Sequence, residues 1–221
     1  MNTTSNILCF ASRVVRWLAP VCVVVLVGCA STPQNASGVA TVALNPAIAG
    51  PVQGVGIEGQ DIVRMSDEMM RDMLSSPRLV TATNGKAPRV IIDAQYFAND
   101  STQPINRNII TDRLRVALNR SAQGRLSFIG RQYVVAIQAE RDLKRNGVTD
   151  VGTVGLTKAT LGSDFRLGGR INSNEQRSSR SGLTQRYTQI TFEMFDVESG
   201  EIVWSGMYEF SRAAADDVVY R

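Results

Sequence analysis

Along residues 183–210 apolar and polar side chains change places at every second position, a rhythm that admits little besides a β-sheet with one buried and one solvated face. Ile190, Phe192 and Met194 alternate with Gln189, Thr191 and Glu193. Successive strand side chains point to opposite faces, so the first three share the buried side. Glu198, Ser199 and Gly200 supply a hairpin turn. Beyond it Ile202, Trp204, Tyr208 and Phe210 fall on one face, with Gly206 marking a bulge or a close contact. A preceding run at 165–171 begins the series, so the carboxyl-terminal part predicts three antiparallel strands, at 165–171, 183–196 and 201–210.

Upstream the period changes from two to between three and four. Ile62, Met65, Met69 and Met73 recur at helical spacing over residues 60–75, with Val63, Met70 and Leu74 beside them, and Pro77 stops the run. Thioethers repack easily, so the methionine stripe suits an adaptable partner surface as well as a core; the core reading is preferred. Residues 89–97, with Val90, Ile91, Ile92 and Tyr96, read as one strand, and 99–106 as a loop. Asn106 then caps a helix whose buried stripe is Ile110, Leu114, Ala117 and Leu118, with Arg107, Arg113, Arg115 and Arg120 on its other faces. A short strand at 126–129 leads to a third helix over 132–146, with Val134, Ile137 and Leu143 inward and Gly147 as its stop. The order helix, strand, helix, strand, helix, then three antiparallel strands predicts an α+β fold with helices packed on one mixed β-sheet.

The amino terminus is an address rather than a structural element. Arg13 and Arg16 precede an apolar run over 17–27 that Pro20 interrupts, too short for the roughly 20 apolar residues a membrane span needs. Leu26-Val27-Gly28-Cys29 then reads as a lipobox. Residues 1–28 are expected to be cleaved, and Cys29 to carry the lipid. Each buried acyl methylene contributes about 0.8 kcal/mol, so several chains on one residue hold a protein at a bilayer. Ala30 stands where an aspartate would commonly retain a lipoprotein at the inner membrane, which favours the outer membrane. Residues 29–56 are rich in Ser, Thr, Gly, Ala and Pro, and read as a flexible tether that reaches about 90 Å extended and about 30 Å on average. Residues 57–221 are then one globular domain.

Composition removes most catalytic chemistry. The chain has no histidine and three cysteines; Cys9 and Cys22 leave with the signal and Cys29 is acylated. The mature protein therefore lacks Ser-His-Asp and Cys-His nucleophiles, disulfides, and His- or Cys-ligated metals, and no cofactor or metal is expected. The formal charge of +4 falls to +2 without Arg13 and Arg16, too mild a balance to imply nucleic acid. Gly54, Gly56 and Gly59 spell G-x-G-x-x-G, yet no strand precedes them and no acid follows at Leu79 or Val80, so they read as the end of a linker and not a nucleotide site. Carboxylate chemistry survives on paper through Glu140, Asp142 and Asp164. Glu140 and Asp142 lie two helix positions apart and do not share a face. Asp216 and Asp217, followed by Val218, Val219, Tyr220 and Arg221, are a candidate latch for a partner.

Four segments carry a family resemblance: Ile110-Thr111-Asp112-Arg113-Leu114-Arg115, Asp164-Phe165-Arg166-Leu167-Gly168-Gly169-Arg170, Ile190-Thr191-Phe192-Glu193-Met194 and Gly200-Glu201-Ile202-Val203-Trp204-Ser205-Gly206. In these the sequence resembles the LpoB family, outer-membrane lipoproteins that reach inward and activate a bifunctional penicillin-binding protein. The resemblance runs from about Ile57 to the end. It implies a fold similar to the amino-terminal domain of TolB, a class A penicillin-binding protein in the inner membrane as partner, and no enzymatic activity. The tether departs from the long, proline-rich one of the best-known member, holding only Pro33, Pro46 and Pro51. For the interface, Arg166, Arg170, Arg177, Arg180 and Arg186 are candidates, because 172–182 is polar and arginine is enriched at binding surfaces. The competing readings are a structural or secretion-related envelope lipoprotein and a carboxylate-dependent envelope hydrolase.

Overall fold

In the computed structural model, residues 41–81, 85–215 and 217–220 are described; the signal segment, Cys29, the first part of the tether and Asp216 lie outside them. The sheet is dominated by three strands of 13 residues: β4 (Phe165–Arg177), β5 (Thr184–Asp196) and β6 (Ile202–Ala214). They pair antiparallel in chain order, with Ile171 opposite Ile190 and Ile190 opposite Tyr208. Leu167, Ile171, Ile190, Phe192, Met194, Trp204 and Tyr208 are buried on one side, and Glu193 is exposed on the other. The alternation in the sequence is thus the two-faced sheet it predicts. β4 is longer than the expected 165–171: the polar residues 172–177 continue as strand because β5 pairs with all of them.

The other edge of β4 is parallel. Residues 89–97 form two short strands, β1 (Arg89–Ile91) and β2 (Phe97–Asn99), rather than the single strand expected. Both run along β4, with Ile91 opposite Arg166 and Phe97 opposite Gly169. Six steps on one strand thus face three on the other, and the surplus loops out. The Asp93 carboxylate holds the loop by accepting the Gln95 backbone N–H at 3.0 Å and the Arg166 guanidinium at 2.9 Å. A two-residue strand, β3 (Ser127–Phe128), pairs outside β1 and gives the order β3-β1-β4-β5-β6.

Helices α1 (Gly59–Ser75) and α3 (Arg107–Ser121) supply the rest of the core. Met65, Met69 and Met73 of α1 and Ile110, Leu114 and Leu118 of α3 are all at most 3 % exposed. The methionine stripe is therefore core. Asn106 caps α3 as its position suggests, its side chain accepting the Asn108 N–H at 3.1 Å. Pro77 ends α1 and begins a four-residue helix, α2 (Pro77–Val80), at the first-turn position where its missing N–H costs nothing.

The fourth helix, α4 (Val134–Arg145), departs from expectation. Val134, Ile137 and Leu143, read as inward, are 44, 41 and 41 % exposed, and no residue of α4 is buried. Periodicity reports an apolar stripe but not whether the chain folds something over it. Here Val134 and Ile137 line an open groove beside residues 157–161 instead of lying against the sheet.

Helix α1 reaches β6 at one narrow place. A Cβ at Gly206 would collide with the Trp204 indole and the Met69 sulfur, and the indole N–H donates to Asp72 of α1 at 2.7 Å. Gly206→Val therefore forces the helix away from the sheet. We expect it to cost about 1–3 kcal/mol in urea unfolding, the usual penalty for overpacking a filled core, whereas Ser205→Val on the exposed side should change stability little.

Candidate binding surfaces

The carboxylates that survive the compositional filter do not converge. Glu140 lies 3.6 Å from Lys144, Asp142 accepts the Gln138 amide at 2.9 Å, and Asp164 accepts the Arg89 backbone N–H at 2.7 Å. Asp164 is a strand-start support, not half of an acid–base pair. Among the described residues no group of three Asp, Glu, His or Cys is placed to hold a metal ion.

The five candidate arginines divide into two kinds. Arg166 has a side chain only 16 % exposed, pairs with Asp93, and stacks over the Tyr96 ring at 4.5 Å from its centroid. Arg186 is 7 % exposed and donates to Glu175 at 2.7 and 3.0 Å. Arg186 shares the inward face of β5 with Thr184 and Thr188, and its buried guanidinium is met there by the Glu175 carboxylate. Arg170, Arg177 and Arg180 are exposed; Arg170 lies 3.4 Å from Asp100, a surface pair worth little. The sheet face that carries Arg170 also carries Tyr187, whose hydroxyl donates to Glu209 at 2.6 Å, and Gln189, whose amide donates to the Met207 sulfur at 3.0 Å.

A second cluster ties the two ends of the domain together. Gly54, Val55 and Gly56, which composition assigns to the tether, are buried. Gly56 N–H donates to the Tyr220 hydroxyl at 2.9 Å, which in turn donates to the Glu58 carboxylate at 2.8 Å. Glu58 also accepts the Gly54 N–H at 3.0 Å. Arg212 spans the same site, donating to the Gly56 carbonyl at 2.7 Å and to both oxygens of the buried Asp61 at 2.8 and 2.6 Å. Gln103 closes it by accepting the Ile57 N–H at 2.7 Å. A Cβ at Gly54 or Gly56 would strike Tyr220. Two of the three glycines of the G-x-G-x-x-G run therefore serve close packing, and the carboxyl-terminal segment latches onto its own chain through Tyr220.

The third feature is the groove flanking α4, with a cavity of about 310 Å³ lined by Phe128, Ile129, Val134, Ile137 and Leu161, and by Arg131 and Arg141. Sequence reasoning missed it. The available signal was the density of apolar residues without a covering element: Val148, Val151, Val154, Leu156 and Leu161 are 40–88 % exposed.

Residues 61–210 match the family model described as peptidoglycan-synthase activator LpoB. The chain belongs to the LpoB family. No curated protein matches it. Among solved structures, the LpoB carboxyl-terminal domain from Salmonella enterica is 18 % identical with a TM-score of 0.34, covering 64 % of this chain and 94 % of that one. Lipoprotein GNA1162 from Neisseria meningitidis is 17 % identical with a TM-score of 0.31, covering 60 and 87 %. A dodecameric PelC variant from Paraburkholderia phytofirmans is 15 % identical with a TM-score of 0.26, covering 62 and 79 %. The LpoB match runs from Asp61 in α1 to Phe210 of β6 and so takes in the groove and all five candidate arginines; Gly54, Gly56, Glu58 and Tyr220 lie outside it.

Burial and the neighbouring Glu58 carboxylate push the Tyr220 phenol up to about 12 from its usual 10.0. The fold thus favours the neutral phenol. Its contribution is fully present below about pH 10 and fades as pH rises towards 12. Difference titration of phenolate absorbance between the protein and Tyr220→Phe should show one tyrosine ionising near 12. The substitution should cost about 1–2 kcal/mol at pH 7 by stranding the Gly56 N–H.

Proposed function

We propose that this chain is an outer-membrane lipoprotein that binds and activates a class A penicillin-binding protein embedded in the inner membrane. The observation that carries the reading is the match of residues 61–210 to the peptidoglycan-synthase activators. The lipobox supports it: cleavage after Gly28 and acylation of Cys29 would leave the residues from Cys29 to Gln53 as a tether on the periplasmic side, ahead of the buried Gly54–Gly56 run. Among the described residues no helix is long and apolar enough to cross a membrane.

Such a protein needs complementarity and not chemistry. An activator stabilises the working conformation of its target by binding it better than the resting one; a tenfold shift needs about 1.4 kcal/mol of differential affinity. A few contacts made only in the working state supply that. With a short tether carrying only Pro33, Pro46 and Pro51, the activator stays near its own membrane, so the synthase must extend outward to meet it.

The test is glycan polymerisation by the organism's own class A synthase, with and without residues 30–221. A saturable rise in rate, with half-saturation matching a separately measured dissociation constant, is the expected outcome. An unchanged rate with no detectable binding, for protein verified as folded, would count against activation and favour a structural envelope role.

A further inference from the structure

Helix α4 presents a physical anomaly. Helices of about 12 residues are marginal in water, and in proteins they persist by packing an apolar face. α1 and α3 each bury three large side chains almost completely, but none of the 12 residues of α4 is buried, and Val135 is 79 % exposed. The chain that follows adds Val154 at 88 % and Leu156 at 55 %. Scattered exposed apolar residues need no explanation, but a concentration of them on one element and its adjoining loop marks an interaction surface.

The groove on its inner side is preformed. Arg141 donates to the Thr157 hydroxyl at 2.9 Å and to its carbonyl at 3.0 Å, and Arg145 to the same carbonyl at 2.9 Å, so the loop is fastened to the helix with a gap left between them. Phe128, Ile129, Val134, Ile137 and Leu161 give that gap an apolar wall. Its volume of about 310 Å³ leaves room for a large side chain. At the rim, the Arg141 Nε–H is buried with no hydrogen-bond partner among the described residues. A buried donor left unmatched is costly, so a shift of the Arg141 side chain that turns this N–H to an arriving carboxylate would be favoured.

Charge selects among occupants. Residues 129–161 carry Arg131, Arg141, Lys144, Arg145 and Lys158 against Glu140, Asp142 and Asp150. A second copy docking on the same patch would bring like charge to like. An anionic bilayer would meet Glu140 between Ile137 and Leu143 at helical spacing, with Asp142 beside it, so the apolar stripe it would have to receive is interrupted by negative charge. What fits is a protein surface presenting a bulky apolar residue beside an acidic one. We infer that the groove between α4 and residues 157–161 is the docking site for the synthase, taking one large apolar side chain with a carboxylate set against Arg131 and Arg141. This rests on the activator reading, since the partner is the same.

The experiment uses residues 30–221 with Ile137→Glu and Leu161→Glu separately, and Met207→Glu on the open sheet face as control. These side chains are 41, 54 and 50 % exposed, so each variant should fold, which circular dichroism and urea unfolding verify. Affinity for the detergent-solubilised class A synthase and stimulation of glycan polymerisation are read together. Both groove variants should bind at least tenfold more weakly and stimulate correspondingly less, with Met207→Glu unchanged. Groove variants that bind and stimulate like the wild type overturn the docking site while leaving activation standing. Equally contrary would be wild-type binding to phosphatidylglycerol vesicles, or concentration-dependent dimers, that the groove variants abolish. Wild-type protein that neither binds nor stimulates removes the activator reading, and the docking site with it.

Discussion

Everything in the core depends on one close approach, that of α1 to the end of the sheet at Gly206. The helix brings Met65, Met69 and Met73 against strands whose inward side chains include Phe192 and Trp204, and a layer so filled has no slack for an additional carbon. Gly206 is absent of side chain where Trp204 lies across it and Met69 comes down on it. In the register of the sheet, Phe192 sits between Gly169 and Gly206, so the largest fully buried residue of the central strand has the smallest on either side. The aromatic ring of Phe97 covers the first of these gaps, 5.2 Å from the Phe192 ring. Phe97 and Phe192 are thereby locked together, and the parallel and antiparallel parts of the sheet share one core.

That core is one-sided. α1 and α3 pack on the inward face of β4, β5 and β6, while the outward face carries Tyr187, Gln189, Thr191 and Met207 and is solvated. The polar cluster of Asp61, Arg212, Glu58, Gln103 and Tyr220 works where the segment from Gly54 to Glu58 meets the carboxyl-terminal residues. Breaking such a pair by removing one partner costs more than the pair contributes, because a buried charge is left behind. Asp61, 2 % exposed, is held on these terms. The arrangement fixes the segment ahead of α1 firmly while leaving α4 and its loop uncommitted.

What the sequence made legible follows from locality. Period-two alternation at 189–194, the Glu198-Ser199-Gly200 turn, the Asn106 cap and the stripe Ile110, Leu114, Leu118 all express rules that operate within a few residues, and the structure follows them. The departures involve partners far along the chain. Nothing near Arg186 announces that Glu175 waits on the neighbouring strand. Nothing near Ile92 shows that Arg166 will hold Asp93 in an outward loop. Gly54 and Gly56 look like linker until Tyr220, 164 residues beyond Gly56, fills the space they leave. α4 departs for another reason: its stripe is legible, but an apolar stripe predicts burial without naming what does the burying. The family resemblance placed the fold and the class of function correctly, and it carried no information about which surface acts.

The most direct measurement is amide hydrogen exchange of residues 30–221, alone and saturated with the class A synthase. If the domain works by offering the face its own core leaves uncovered, exchange should slow across residues 131–161 and stay unchanged in α1 and α3. Slowing confined to the open sheet face or to the β4–β5 turn, with residues 131–161 as fast as in the free protein, would contradict it.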